Sequence, residues 1–167
     1  MELIDLVEIS EWKKIAEDIY NKFGFNGTVY KHDNFILTKS EKMANNLCPV
    51  IKSSKNSIVI CSSAQQRLAK IVHDSRGLAV GECDAGFIKF VLPIFVRGEI
   101  WGMIGGCGCL LDQSSVDTFY VAKLLGKDEE EIKASTKNIP QISSDKLTEA
   151  IACVQVNIDR ILKTIAH

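Results

Sequence analysis

The sequence predicts an α+β domain in which an antiparallel sheet is flanked by helices, with an amphipathic helix at each end. Three observations carry the prediction. Apolar residues recur at helical spacing near both termini, three strand-like runs follow one another between residues 78 and 111, and the last two runs are joined by the tight pair Arg97-Gly98. Helices set on either side of consecutive antiparallel strands define this class. With 167 residues, 46% of them hydrophobic, the chain has the size and apolar content of one domain with one core.

The first helix uses Ile9, Trp12, Ile15, Ala16, Ile19 and Phe23, with Ser10 as the expected N-cap and Gly24 as the stop. Between Gly24 and Ser40 the β-favouring residues Thr28, Val29 and Tyr30, then Phe35, Ile36, Leu37 and Thr38, predict two short strands joined around Lys31 to Asn34. Residues 41 to 77 read as helical. The pattern is interrupted at Pro49 and at Ser53 to Ser57, and its firm part runs from Ser62 to Asp74 on Ala64, Leu68, Ile71 and Val72, ended by Gly77. Strands follow at Leu78 to Glu82, Phe87 to Val96 and Ile100 to Leu111. Helices are then expected over Val116 to Leu125, Asp128 to Thr136 and, after Pro140, Ser144 to about Thr164. The expected layout is therefore a helical N-terminus (1–24), a core (25–143) and a C-terminal helix (144–167). Helices on both sides of an antiparallel sheet suit PAS- or GAF-like domains.

Composition excludes several functions. Twenty basic and 21 acidic side chains leave no electrostatic footprint for nucleic acid or for an anionic membrane surface. The N-terminus lacks the basic and apolar regions of a secretory signal, and the longest apolar run, Phe87 to Val96, is interrupted by Lys89 and falls far short of the roughly 20 residues of a membrane helix. A cytoplasmic protein is expected, with its six cysteines reduced.

The stretch Trp101 to Leu111, WGMIGGCGCLL, concentrates four glycines and two thiols in one strand. Strict alternation puts Trp101, Met103, Gly105, Cys107 and Cys109 on one face. Glycine weakens a strand interior by roughly 0.5–1 kcal/mol per site relative to alanine, so its density asks for a close approach, either of a ligand or of a packed helix. Just before the preceding strand, ECDAGF (82–87) sets Cys83 and Asp84 where they can orient a small polar ligand, or where Asp84 serves as a turn residue beside Gly86. The cysteine spacings match no standard zinc or ferredoxin run, yet Cys48, Cys61, Cys83, Cys107 and Cys109 could converge in space on a metal or iron–sulfur cluster.

Catalysis finds little support. His32, His73 and His167 stand alone, and no nucleotide-binding or metalloprotease motif is present, so no enzyme is expected. The acidic run Asp128 to Glu131 reads as a helix N-terminus, favoured there by the macrodipole. In the last helix Leu147, Ile151, Val154, Ile158, Ile161 and Ile165 form a heptad-like seam, with Cys153 beside it as packing. The seam either packs on the domain's own sheet or pairs with the same helix of a second copy in a homodimer.

The segments NLCPVIKSS (46–54), ICSSAQQRLAKIV (60–72), ECDAGFIKFVLPIFVRGEIWGMIGG (82–106) and LLGKDEEEIKASTKNIPQIS (124–143) together resemble the PocR sensory domain. The resemblance implies a PAS-like, non-catalytic sensor module attached to transcription regulators, histidine kinases or chemotaxis-type receptors, binding short diols or hydrocarbon derivatives. It places Cys48, Cys61 and Cys83 at recurrent cysteine positions, and Phe87, Pro93, Gly98, Gly102 and Gly106 at strand and turn positions. Asp84 and Cys107 depart from the histidine and glutamine often found there.

Two readings follow. In the first, a small organic ligand lies on the sheet between Phe90, Trp101 and the 107–109 strand, oriented by Cys83 and Asp84, and signals to an output protein or domain without a required cofactor. In the second, some of Cys48, Cys61, Cys83, Cys107 and Cys109 ligate a metal or iron–sulfur cluster as a redox sensor.

Overall fold

The computed structural model describes residues 1–166. Its strands are β1 (Asn26–Lys31), β2 (Ile36–Lys39), β3 (Ala79–Glu82), β4 (Ile88–Val96), β5 (Glu99–Leu111) and β6 (Gln141–Ile142). They form an open sheet of order β2-β1-β5-β4-β3, antiparallel throughout, while β6 pairs in parallel with the end of β5. The predicted α+β class and its antiparallel, helix-flanked sheet are what the chain adopts.

Helix α1 (Ile9–Phe23) follows the predicted apolar spacing and ends at Gly24, whose φ of 78° lets its N–H return to Tyr20 O at 2.8 Å. Its N-cap is Glu8 rather than Ser10. A short 3-10 turn over Leu3–Asp5, absent from the sequence reading, accepts the Trp12 indole N–H on Leu3 O at 3.0 Å. Arg97 and Gly98 both have positive φ (50° and 82°), the backbone of a tight turn whose twist suits the β4–β5 hairpin.

Of residues 41–77, two helices form: α2 (Leu47–Lys52) and α3 (Val59–Ser75). Pro49 sits in the first turn of α2, where its missing N–H leaves nothing unpaired. Helix α3 starts three residues before the predicted Ser62, and Ile71, expected on its apolar face, is exposed. Helices α4 (Thr118–Leu125) and α5 (Glu129–Ser135) begin at Asp117 and Asp128, whose side chains accept the backbone N–H groups of Tyr120 and Glu130. Asp128 to Glu131 is thus the helix N-terminus that its acidity suggested. Helix α6 runs over Ser144–Ile165, so His167 lies outside the described residues.

The sheet has two unlike faces. Helices α1 and α6 cover one with an apolar cluster that includes Trp12, Ile15, Val29, Phe90, Ile104, Val154 and Ile158. The seam of α6 is spent here: Leu147, Val154, Ile158 and Ile161 are buried in the domain's own core, leaving Ile165 exposed. Of the two expected uses of the seam, these four buried residues serve the first, packing on the domain's own sheet. Helix α3 covers the other face through Leu68, Ala69 and Val72 against Tyr30, Val91 and Met103. Beyond it, α2, α4 and α5 close a third cluster around Leu47, Ile60, Phe87 and Val121.

Candidate functional site

Glycine positions on the α1 side are occupied by the protein itself. A Cβ at Gly27 would collide with the Ala16 backbone of α1. One at Gly102 would lie 2.5 Å from Leu3 Cδ1, and one at Gly106 would lie 2.7 Å from Phe90 Cε1. The room left by missing side chains admits α1, Leu3 and the Phe90 ring. That overturns the expectation that these glycines leave space for a ligand.

Two bulges in the β4–β5 ladder also break the alternation on which the predicted site rested. Register moves from Lys89↔Cys107 to Ile88↔Cys109, so Gly108 is the extra residue, and its φ is 95°. Cys107 therefore shares a face with Lys89 and Asn26, whose Nδ2 lies 3.8 Å from its sulfur, while Cys109 joins the α1-side cluster and reaches Gly24 O at 3.5 Å. The second shift, between Ile94↔Gly102 and Phe95↔Ile100, makes Trp101 an extra residue that packs half-buried on the same α1-side cluster. Phe90 is fully buried there, its ring edge-on to Phe25 at 5.4 Å.

The predicted ligand residues are thus divided. Phe90, Trp101 and Cys109 belong to the α1 side and Cys107 to the α3 side. Cys83 flanks the cluster of α2, α4 and α5. Asp84 is exposed in the turn closed by Gly86 N–H to Cys83 O at 2.9 Å, with the Ser63 hydroxyl 3.5 Å from its carboxylate. Gly86 is required there, because its φ is 101° and a Cβ would meet Ser115 O at 2.5 Å.

The α3 side instead gathers buried polar groups that the sequence reading passed over. Lys89, 5% exposed in mid-strand, donates to Tyr30 Oη at 3.0 Å and lies 5.2 Å from the Tyr30 ring centroid. Among the described residues no carboxylate pairs with it. Burial works against its charge, but the Tyr30 oxygen and the Cys107 sulfur outweigh burial and hold its pKa above the ordinary lysine value.

Gln65 on α3 is 6% exposed, and both Nε2 and Oε1 are buried without a hydrogen-bond partner. It follows Cys61 by one turn and precedes Leu68, which covers Gly81, the strand partner of Lys89. Cys61, one turn before Gln65 on α3, stands near enough to Lys89 to act on its charge. The cue was present in the sequence: Lys89 interrupts an otherwise apolar run, and Gln65 lies beside Ala64 in the buried stripe of an amphipathic helix.

Cys107 stands near enough to Cys48, Cys61 and Cys83 to act on the ionisation of each of those three thiols. Burial raises all three, pushing Cys48 up to about 12, so these are protonated thiols at neutral pH. Cys48 also accepts from Asn45 Nδ2 at 3.2 Å; the same amide nitrogen donates to Gly108 O at 2.8 Å, and Asn45 Oδ1 takes the N–H groups of Leu47 and Cys48. Asn45 thereby ties the start of α2 to the β5 bulge. Among the described residues no three His, Cys, Asp or Glu side chains are placed to hold one metal ion. With Cys109 on the opposite face, the five cysteines do not converge on one centre. Cys153 is half-buried on α6, with Asn157 Nδ2 3.8 Å from its sulfur.

The molecule is an α+β domain whose sheet packs an apolar cluster on one face and buries polar groups without full partners on the other. The family follows from comparison. The profile described as "Sensory domain found in PocR" matches residues 5–165, nearly the whole chain, and the protein belongs to this family. No curated protein matches the chain. No helix among the described residues is long and apolar enough to cross a membrane.

Proposed function

We propose that residues 1–167 act as one sensory unit that binds a small organic molecule between the sheet and α3, at Lys89, Tyr30 and Gln65 beside the thiols of Cys61 and Cys107. The observation that carries this reading is the Gln65 amide. A buried polar atom left unpaired costs about 1–3 kcal/mol, and Gln65 has one at each end of its amide while a leucine would have cost nothing. Retaining that cost in a core helix is explained by a guest that pairs with the amide.

Because Lys89 and Gln65 are enclosed, a guest reaches them only when α3 moves off β3 and β4. Binding thus biases the position of α3, by no more than the guest's differential affinity for the two arrangements. An output protein or domain would read that shift.

The test is a thermal-shift screen of the intact chain against short alcohols, diols and monocarboxylates, with Gln65→Leu in parallel. The variant is expected to melt at or above wild type, since it removes two unpaired atoms, and at least one compound stabilises wild type but not the variant. Compounds that stabilise both proteins equally, or none that stabilises wild type, overturn the site.

A further inference from the structure

Resting on that site, we infer that its ligand is a small organic anion, a short carboxylate whose oxygens face Lys89 and whose hydrocarbon end lies against Met103 and the thiols. The argument is a count of hydrogen-bonding capacity. An ammonium has three donors, and Tyr30 Oη takes one of them. A phenol hydroxyl is a donor as well as an acceptor, and the Gln65 amide offers two further donors against a single acceptor, Oε1.

The open groups are therefore five donors and one strong acceptor, with a positive charge that no carboxylate among the described residues offsets. A diol matches this poorly, because each hydroxyl it brings adds a donor to a site already rich in them. A carboxylate brings only acceptors, two oxygens with about four lone-pair directions, and supplies the missing charge. Buried cations without a paired anion are among the costliest arrangements in a core, and a bound carboxylate removes that cost.

Lys89 is suited to electrostatic capture rather than to covalent capture. Its ammonium donates to Tyr30 Oη at 3.0 Å, and a protonated amine has no lone pair for attack on a carbonyl. Cys61 and Cys107 add weakly polar, deformable surface of the kind that receives a methyl or methylene group.

The experiment is isothermal titration of the full chain with acetate, propionate and butyrate, and with ethanol, propan-1-ol and butan-1-ol, at one ionic strength maintained with sodium chloride; propane-1,2-diol is run beside them. At least one acid is expected to bind with one-to-one stoichiometry, about tenfold or more tighter than its alcohol, and to weaken by about tenfold or more in Lys89→Met. The acid-against-alcohol contrast is read on wild type, so it stands even if the variant does not fold. Binding of the alcohols or the diol, lost in Gln65→Leu, without binding of any acid overturns the anion and leaves the site. No binding of any probe, or acid binding untouched by both substitutions, overturns the site as well.

Discussion

The two faces of this sheet obey different rules. On the α1–α6 face the glycine gaps are filled by protein: Gly27 accepts the α1 backbone, Gly106 accepts the Phe90 ring, and Phe90 meets Phe25 edge-on. On the α3 face an ammonium, a phenol and an amide are buried with less than their full complement of partners. Large buried side chains contribute about 1.5–3 kcal/mol each, so the first face supplies stability. The second gives some of it back. A protein needing only stability would have packed both alike, and the proposed site rests on that difference.

The widest test of this contrast compares glycines on the two faces. Gly27→Ala drives a methyl into the Ala16 backbone and should cost about 3 kcal/mol or more, whereas Gly81→Ala meets only the end of Leu68 at 3.0 Å and should cost under about 1 kcal/mol. Urea midpoints of the two variants measure this; equal losses would show that the faces are packed alike.

Alkaline pH gives a somewhat smaller effect. Burial holds the thiols of Cys48 and Cys109 up to about 12 in the fold, against 9.0 ordinarily. As pH rises past 9 the unfolded chain releases these protons while the folded one keeps them, so stability is intact below pH 9 and falls through the window from 9 to 12. The slope is roughly 1.4 kcal/mol per thiol per pH unit, or about 2–3 kcal/mol lost for the pair between pH 8 and 10. Urea unfolding at the two pH values should show it, and Cys48→Ala with Cys109→Ala should flatten it. An unchanged slope in the double variant would assign the loss to other groups.

The smallest expected change tests the polar face itself. Tyr30→Phe takes from Lys89 its hydrogen-bond partner and should destabilise the ligand-free protein by about 1–2 kcal/mol. A midpoint equal to wild type would mean that Lys89 is already served by water.

Local patterning was enough for the elements. The apolar spacing of α1, the Arg97-Gly98 turn and the long α6 were all legible, because period and turn chemistry are properties of neighbouring residues. The two-residue β6 was not, since a strand that short carries no period. The start of α3 was missed for a related reason: Ser57 and Ile58 look like a break until the turn is fixed by Ser57 Oγ donating to Ile51 O at 2.6 Å.

By itself, then, the sequence determined the α+β class, the order of its helices and strands, and through four separated segments the family. Tertiary structure alone decided which face each thiol takes, because one extra residue at Gly108 reverses an alternation that sequence can only assume to be unbroken. It also decided what the glycines are for and which polar residues are left unpaired. Both depend on atoms far away in the chain, Ala16 above Gly27 and Tyr30 beside Lys89, and a pattern of neighbours holds no record of such distances.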